Sequence, residues 1–364
     1  MKNTEKTLFL ELCKFKSPDE ELLRSHIKEN STPAVLGELF FNRMQGVAYG
    51  VLENAELLGE TNREFRNSLR NAYRFNVMLN NDYLECVDFV SRILKPHKDK
   101  YAMLKGALLC NMYPKGYRTS NDIDLLVRPN DVTIIETALS NAGFKQGNIR
   151  NGEFIPATRR EIIESKMTRG ETVPYILEVN MSFIRYLEVD INFSLDFKNS
   201  DTTALESMLC RTIECKVGNS SLTTLNKYDF FIHLCCHLYK EATTLPWIKI
   251  KRDLTLYKFL DIYMLLQSFN ESISEQLLLR SAELGVSDIC SCVVKWTCDL
   301  FDIAAHPLKT LSEKQLENDS IILDRVIAPS EKKFYYYSTQ DIKERFFSEN
   351  RVLLFKEETD NATT

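Results

Sequence analysis

Apolar residues recur at helical spacing towards both ends of the chain. In the first 98 residues, Phe65, Leu69 and Tyr73 lie four positions apart, which places them on one face of a helix. Pro96 ends this region, because proline lacks an amide donor and disfavours helix just before it. From about residue 224 the helical spacing returns, and Asn226 is suited to cap the first helix there.

The stretch between about residues 100 and 200 has a different pattern. Positions 122–127 and 187–195 alternate between apolar and polar residues, which is typical of strands. Between them, Val132 to Ala142 has helical spacing, and Gly143 follows near the C-cap position. This order of strands and helices predicts an α+β fold, with a small mixed β-sheet flanked by helical regions.

These patterns divide the chain of 364 residues into three regions. We predict an N-terminal helical region at residues 1–98, a sheet-containing core at residues 99–200 and a C-terminal helical region at residues 201–364. The charged, mixed residues at the chain end predict a frayed tail.

Two aspartates stand on the first of the predicted strands. Asp122 and Asp124 are two residues apart, so their side chains project from the same face. Carboxylates held that close repel each other, and a bound divalent cation relieves the repulsion. A third aspartate, Asp190, lies between two apolar residues on another predicted strand. Three such groups on adjacent strands suit a pair of Mg²⁺ ions about 4 Å apart, as phosphoryl and nucleotidyl transfer require.

Gly106 lies between a short apolar run and the next predicted helix. A glycine there allows phosphate oxygens to approach backbone amides at the positive end of the helix, and Lys105 adds charge. Each feature alone is a weak signal, since an exposed edge strand also carries an Asp-x-Asp pair. Their occurrence together, in this order and followed by Asp190, is considerably more specific.

Several segments together resemble a known family. They are Leu104-Lys-Gly-Ala-Leu, then Arg118-x-Ser-x-Asp-x-Asp-Leu-Leu-Val, and later Leu234-Cys-Cys-His237. Between about residues 100 and 300 the chain resembles the uncharacterised nucleotidyltransferase family, within the DNA polymerase beta-like superfamily. The resemblance implies transfer of a nucleoside monophosphate from an NTP such as ATP to an acceptor, with Mg²⁺ or Mn²⁺ as cofactor and release of pyrophosphate.

The resemblance also implies roles for individual residues. Asp122 and Asp124 would bind metal, and Asp190 would hold the second metal and orient or activate the acceptor. The positions that would lie near the triphosphate are Gly106 and Ser120, with Lys105 and Arg118 as phosphate contacts.

Two departures from the family pattern leave alternatives open. Ala107 stands where the superfamily usually has serine or glycine in contact with the phosphates. This favours a second hypothesis, in which the chain is a catalytically degenerate nucleotide-binding or partner-binding module. Glu178, between two apolar residues, competes with Asp190 as the third carboxylate.

The C-terminal helical region is predicted to bind the acceptor. Its candidate acceptor contacts are His237, on a helix within the resemblance, and Trp247, beside a basic run. His233 and His237 have the spacing of a zinc-binding helix, but the glutamate of the metalloprotease motif is missing between them. A buried or pocket-facing helical histidine is therefore favoured over a metal site. For Trp247 and the basic run, a solvated loop is as good an explanation as an acceptor contact.

The amino-acid composition limits the classes of partner and the cellular compartment that the sequence predicts. Lysine and arginine number 46 against 51 acidic residues, which argues against an extended nucleic-acid surface. The ten cysteines form no C-x-x-C pair, as in a cytoplasmic protein with reduced thiols. No stretch approaches the roughly 20 apolar residues of a membrane span. The expected partners are an NTP and an acceptor that the sequence does not identify, whether a small molecule, a sugar-like antibiotic, a peptide or a protein.

Overall fold

The computed structural model describes residues 1–195, 202–218, 220–317 and 320–356. These form two compact units, Met1–Phe230 and Phe231–Thr364. The chain is a mixed α+β protein, as its pattern predicts. The division into three regions stays a prediction, and the end of the predicted frayed tail, residues 357–364, lies outside the described residues.

Amphipathic helices make up the start of the first unit. Four short helices precede a long one of 32 residues. The second, third and fifth helices each have an N-cap residue whose side chain accepts a hydrogen bond from the backbone amide three residues later; these residues are Asp19, Thr32 and Asn62. The helices are α1 (Asn3–Glu11), α2 (Glu20–Asn30), α3 (Pro33–Phe41), α4 (Gln45–Asn54) and α5 (Arg63–Leu94). The last ends two residues before Pro96, as predicted.

In the described part of the first unit, eight strands form one mixed sheet. They are β1 (Tyr101–Met103), β2 (Asp122–Val127), β3 (Lys145–Arg150), β4 (Glu153–Pro156), β5 (Tyr175–Glu178), β6 (Tyr186–Asn192), β7 (Thr212–Val217) and β8 (Ser220–Leu225). Their order in the sheet is β4-β3-β5-β6-β2-β1-β8-β7. Strands β2 and β6 are parallel neighbours at its centre, and β1 is antiparallel to β2.

Between the strands, the residues that the structure describes form four further α-helices: α6 (Gly106–Met112), α7 (Val132–Asn141), α8 (Arg159–Thr168) and α9 (Thr203–Leu209). Helix α7 confirms the predicted helix, and Gly143 follows it with φ of +96°, a conformation that favours glycine. The apolar residues of β2 and β6 are buried, including Ile123, Leu125 and Val189. The alternation in the sequence therefore marks a buried sheet face and an opposite, more polar one.

The second unit is mostly helical. Helix α10 (Lys227–Ala242), whose residues from Phe231 onwards belong to this unit, begins where predicted, with amides of its first turn bonded to Asn226. The rest comprises α11 (Leu245–Lys249), α12 (Leu256–Leu266), α13 (Glu271–Glu283), α14 (Ser287–Leu300), α15 (Pro307–Leu316), the hairpin of β9 (Arg325–Ala328) and β10 (Lys333–Tyr336), and α16 (Ile342–Phe347). Among the described helices, none is long and apolar enough to cross a membrane.

Helix α4 packs closely on the segment that precedes β2. A methyl group on Gly46 would overlap the carbonyl oxygen of Gly116, and one on Gly50 would overlap the Tyr117 hydroxyl. The two glycines lie four residues apart, so they form one bare patch on the helix surface. This patch allows the helix to contact the segment directly.

The close approach predicts opposite effects for two glycine substitutions. We expect Gly46→Ala to lower the free energy of unfolding by about 1–3 kcal/mol, because the backbone oxygen of Gly116 has no room to move aside. Gly37→Ala is the matched control, since Gly37 is exposed on helix α3 with open space around it. That change should stabilise the protein by about 0.5–1 kcal/mol through helix propensity. Urea unfolding of both variants measures the difference, and equal effects would contradict the packing.

Candidate active site

Four carboxylates lie on one face of the central strand pair. In the register of β2 and β6, Asp122 is the partner of Glu188, and Asp124 is the partner of Asp190. Partners on neighbouring strands point the same way and lie about 4.8 Å apart. The structure thus brings Asp190 beside the predicted pair. The sequence hypotheses did not include Glu188, although it stands two residues before Asp190 in the same alternating strand.

The carboxylates are close enough to repel each other. Burial, together with the charges of Asp124, Glu188 and Asp122, raises the pKa of Asp190 well above its ordinary value. Burial and the charges of Asp122 and Asp124 also raise the pKa of Glu188. Such a face favours either protons or a cation, because each neutralises the concentrated negative charge.

Lys105 supplies a positive charge to this face. It stands between β1 and α6 with φ of +41°, and its Nζ lies 2.9 Å from Oδ1 of Asp124. Burial alone would lower the pKa of Lys105, but Asp124, with Asp122 and Asp190, raises it above its ordinary value. The side-chain amide of Asn192 lies 3.5 Å from the same oxygen of Asp124. The contact of Lys105 with phosphates stays a prediction.

Gly106 is the first residue of α6, and it lies against Ser120. A methyl group on Gly106 would overlap the Ser120 side chain, while the Ser120 hydroxyl donates to Oδ1 of Asp122 at 3.0 Å. Glycine is therefore required here for packing between two protein segments, apart from any approach of phosphate. Arg118 is buried and donates to the backbone carbonyl of Thr119.

Glu178, the competing third carboxylate, lies elsewhere on the sheet. Its cross-strand partner is Tyr186, four residues and about 13 Å along the strand from Asp190. The Glu178 carboxylate is exposed and accepts from Nε of Arg185 at 3.1 Å. Of the two alternatives, Asp190 is the one that lies beside Asp122 and Asp124.

In the structure, these side chains are not arranged as a complete set of metal ligands. Within the described part of the chain, no three His, Cys, Asp or Glu side chains are grouped closely enough to hold a metal ion. Asp124 is bonded to Lys105, and Asp122 is bonded to Ser120. Carboxylate oxygens are nevertheless the ligands that Mg²⁺ prefers. The types of donor on this face therefore suit a hard cation, while in the structure Lys105 and Ser120 engage one oxygen each of Asp124 and Asp122.

The two candidate acceptor contacts belong to the second unit. His237 lies on α10 with its Nε2 3.2 Å from Oε1 of Glu241, and Glu241 also pairs with Lys258. Trp247 lies on α11 and is 38% exposed. The roles of His237 and Trp247 in acceptor binding stay predictions.

The mixed α+β fold, with helices flanking an eight-stranded sheet, is consistent with that of a nucleotidyltransferase. The chain belongs to the uncharacterised nucleotidyltransferase family, whose model matches residues 32–302, well over half of the chain. The match begins in helix α3, so the family region includes helices α4 and α5 as well as the sheet. No match was found among curated proteins or solved structures.

Proposed function

We propose that the protein is an active, metal-dependent nucleotidyltransferase that moves a nucleoside monophosphate from an NTP to an acceptor and releases pyrophosphate. The observation that carries this proposal is the register of β2 and β6. Asp190 on β6 is the direct partner of Asp124 on β2, and Asp122 lies on the same face of β2, two residues before Asp124. The family gives the reaction class. The acceptor is a small molecule, a sugar-like antibiotic, a peptide or a protein.

Asp122, Asp124 and Asp190 would hold the metal in this proposal. Mg²⁺ or Mn²⁺ bound there supplies positive charge that neutralises the triphosphate and orients it for in-line displacement. The chain itself would supply Ser120 beside the triphosphate, and Lys105, now paired with Asp124, would supply a positive charge for a phosphate oxygen.

The transfer step uses Asp190 in a second role. An acceptor oxygen attacks the α-phosphorus, and the bond from that phosphorus to the oxygen bridging to the β-phosphate breaks. The electron pair leaves with pyrophosphate, and the acceptor proton passes to the Asp190 carboxylate. A carboxylate within reach of the acceptor is suited to take up this proton as a general base.

The alternative is a nucleotide-binding or partner-binding module without turnover. Ala107 is fully buried and offers no hydroxyl for a phosphate. The ion pair between Lys105 and Asp124 likewise occupies one proposed metal ligand. These features favour binding without catalysis, whereas the three aligned aspartates favour the enzyme.

Thermal unfolding with nucleotides tests the proposal. We expect Mg²⁺ with the correct NTP to raise the melting temperature more than either component alone, because both bind the folded state at the same site. A ligand at 100 times its Kd adds about 2.7 kcal/mol to the free energy of unfolding. Pyrophosphate release with candidate acceptors, measured in parallel, separates the two hypotheses. A thermal shift without pyrophosphate across all acceptors would support the module. No shift with any of the four NTPs and either Mg²⁺ or Mn²⁺ would contradict nucleotide binding itself.

A further inference from the structure

Three buried polar side chains of helix α5 reach the segment that leads into β2. Asn76 donates its amide to the carbonyl of Gly116 at 3.0 Å, and Asn80 donates to the carbonyl of Arg118 at 3.0 Å. Tyr83 donates its hydroxyl to the carbonyl of Asp122 at 2.8 Å. The three donors lie at positions i, i+4 and i+7, so they form one row along the helix.

These side chains are almost fully enclosed. Asn76, Asn80 and Tyr83 are only 4%, 2% and 1% exposed, on the face that carries apolar residues such as Leu69 and Val87. Burying an amide or a hydroxyl is unfavourable unless it is hydrogen-bonded. Each of the three bonds ends on a backbone carbonyl, so the row fixes the path of the backbone from residue 116 to residue 122.

Tyr83 lies where three parts of the proposed site meet. Besides the carbonyl of Asp122, its hydroxyl contacts the Ser120 side chain, and it lies 2.8 Å from where a methyl group on Gly106 would stand. It is therefore packed beneath the start of α6, the Ser120 hydroxyl and the first residue of β2. A small displacement of this ring moves all three.

The same segment is held from a second side. The bare patch of Gly46 and Gly50 on α4 contacts Gly116 and Tyr117. Gly116 itself has φ of +83°, a conformation that few other residues adopt. Both helices lie within the family match and within the same compact unit as the sheet. The path of residues 116–122 is thus determined by helices that carry none of the proposed ligands.

We propose that Asn76, Asn80 and Tyr83 are positioning residues, which hold residues 116–122 so that Ser120 and Asp122 meet the nucleotide and its metal. This inference rests on the proposed function. The row acts on the site through backbone carbonyls and, at Tyr83, also through the Ser120 side chain. Its loss should be costly for turnover, because a misplacement of about 1 Å in a catalytic group lowers rates by about a hundredfold.

Tyr83→Phe and Asn80→Ala test the inference, with Ser91→Ala as the matched control. Ser91 is buried on the same helix and donates its hydroxyl to the carbonyl of Val87 at 2.7 Å. Tyr83→Phe and Ser91→Ala each remove one buried hydroxyl bonded to a backbone carbonyl. Three quantities are compared: the melting temperature, hydrogen exchange of residues 116–124 in the metal-free protein, and turnover with Mn²⁺–NTP.

We expect exchange in residues 116–124 to rise about tenfold in both test variants and to stay unchanged in the control. Turnover should fall at least tenfold in Tyr83→Phe. Ser91→Ala should keep wild-type turnover, although its melting temperature should be similar to that of Tyr83→Phe. Unchanged exchange in the test variants would overturn the inference, whatever the protein binds. Faster exchange with wild-type turnover would overturn it as well, leaving these bonds purely structural. A wild-type protein that binds no nucleotide would overturn the proposed function and with it the catalytic part of the inference.

Discussion

Asp190→Asn should lower nucleotidyl transfer about a hundredfold or more while the protein stays folded. The asparagine keeps the size of the side chain but loses the charge that holds a cation and accepts the proton of the acceptor. A bound metal contributes several kcal/mol to such a reaction, and each 1.36 kcal/mol corresponds to about a factor of ten. Pyrophosphate release at saturating Mg²⁺–NTP measures the loss.

The same substitution should stabilise the metal-free protein at high pH. Burial and the neighbouring carboxylates Asp124, Glu188 and Asp122 raise the pKa of Asp190 well above its ordinary value. The ionised form therefore lowers native-state stability: the cost is full above the native-state pKa, shrinks as the pH falls below it, and is gone below the pKa of the unfolded chain. Without metal, Asp190→Asn should unfold above the wild-type temperature at pH 8, and the difference should disappear near pH 4, about the pKa of an unfolded aspartate.

Glu178→Gln is the matched control, because it neutralises an exposed carboxylate of the same sheet at a distance from the pair. We expect it to keep wild-type turnover and to show no comparable gain in stability. Loss of turnover in Glu178→Gln together with wild-type turnover in Asp190→Asn would assign the third carboxylate to Glu178 instead.

Lys105→Met should destabilise the metal-free protein by about 3–5 kcal/mol. The side chains of Lys105 and Asp124 are only 18% and 8% exposed, and removing one partner of a buried ion pair leaves the other charge uncompensated. The charges of Asp122 and Asp190 act on Lys105 as well, so its loss affects the whole face. Urea unfolding at pH 8 with a chelator present measures the effect.

An exposed ion pair provides the control for this substitution. Lys98 and Glu214 are 65% and 57% exposed, so solvent screens their attraction and Lys98→Met should leave the free energy of unfolding nearly unchanged. Adding Mg²⁺ should restore part of the stability lost in Lys105→Met, since the cation takes over the neutralisation of Asp124. Equal effects of the two lysine substitutions, or no effect of Mg²⁺ on Lys105→Met, would contradict the role assigned to this pair.

Local sequence patterns predicted the elements that carry the site. The alternation around Asp122, Asp124 and Asp190 lies within single strands, where every second side chain shares a face. The pairing of β2 with β6 joins residues more than sixty positions apart, and no local pattern specifies such a register. The sequence therefore leaves Asp190 and Glu178 as alternatives; in the sheet Asp190 is the partner of Asp124 and Glu178 is the partner of Tyr186, and the role of Asp190 as the third ligand stays a prediction.

The role of helix α5 lay beyond sequence reasoning for a related reason. Its apolar spacing predicted a packing helix, which is correct, but Asn76 and Asn80 acquire meaning only through carbonyls about forty residues later. Gly106 shows a different limit: its position between strand and helix suggested a phosphate contact, while the structure shows that Ser120 already requires a glycine there. A residue type can satisfy a packing demand and a functional one at once.

A structure with Mn²⁺ and a non-hydrolysable NTP analogue tests the central claim most directly. The anomalous signal of Mn²⁺ locates the metal independently of the nucleotide. We predict the metal in contact with the carboxylates of Asp122 and Asp124, the triphosphate beside Gly106 and Ser120, and the Lys105 ammonium moved from Asp124 to a phosphate. Metal and nucleotide bound away from this face, with the pair of Lys105 and Asp124 intact, would contradict the account.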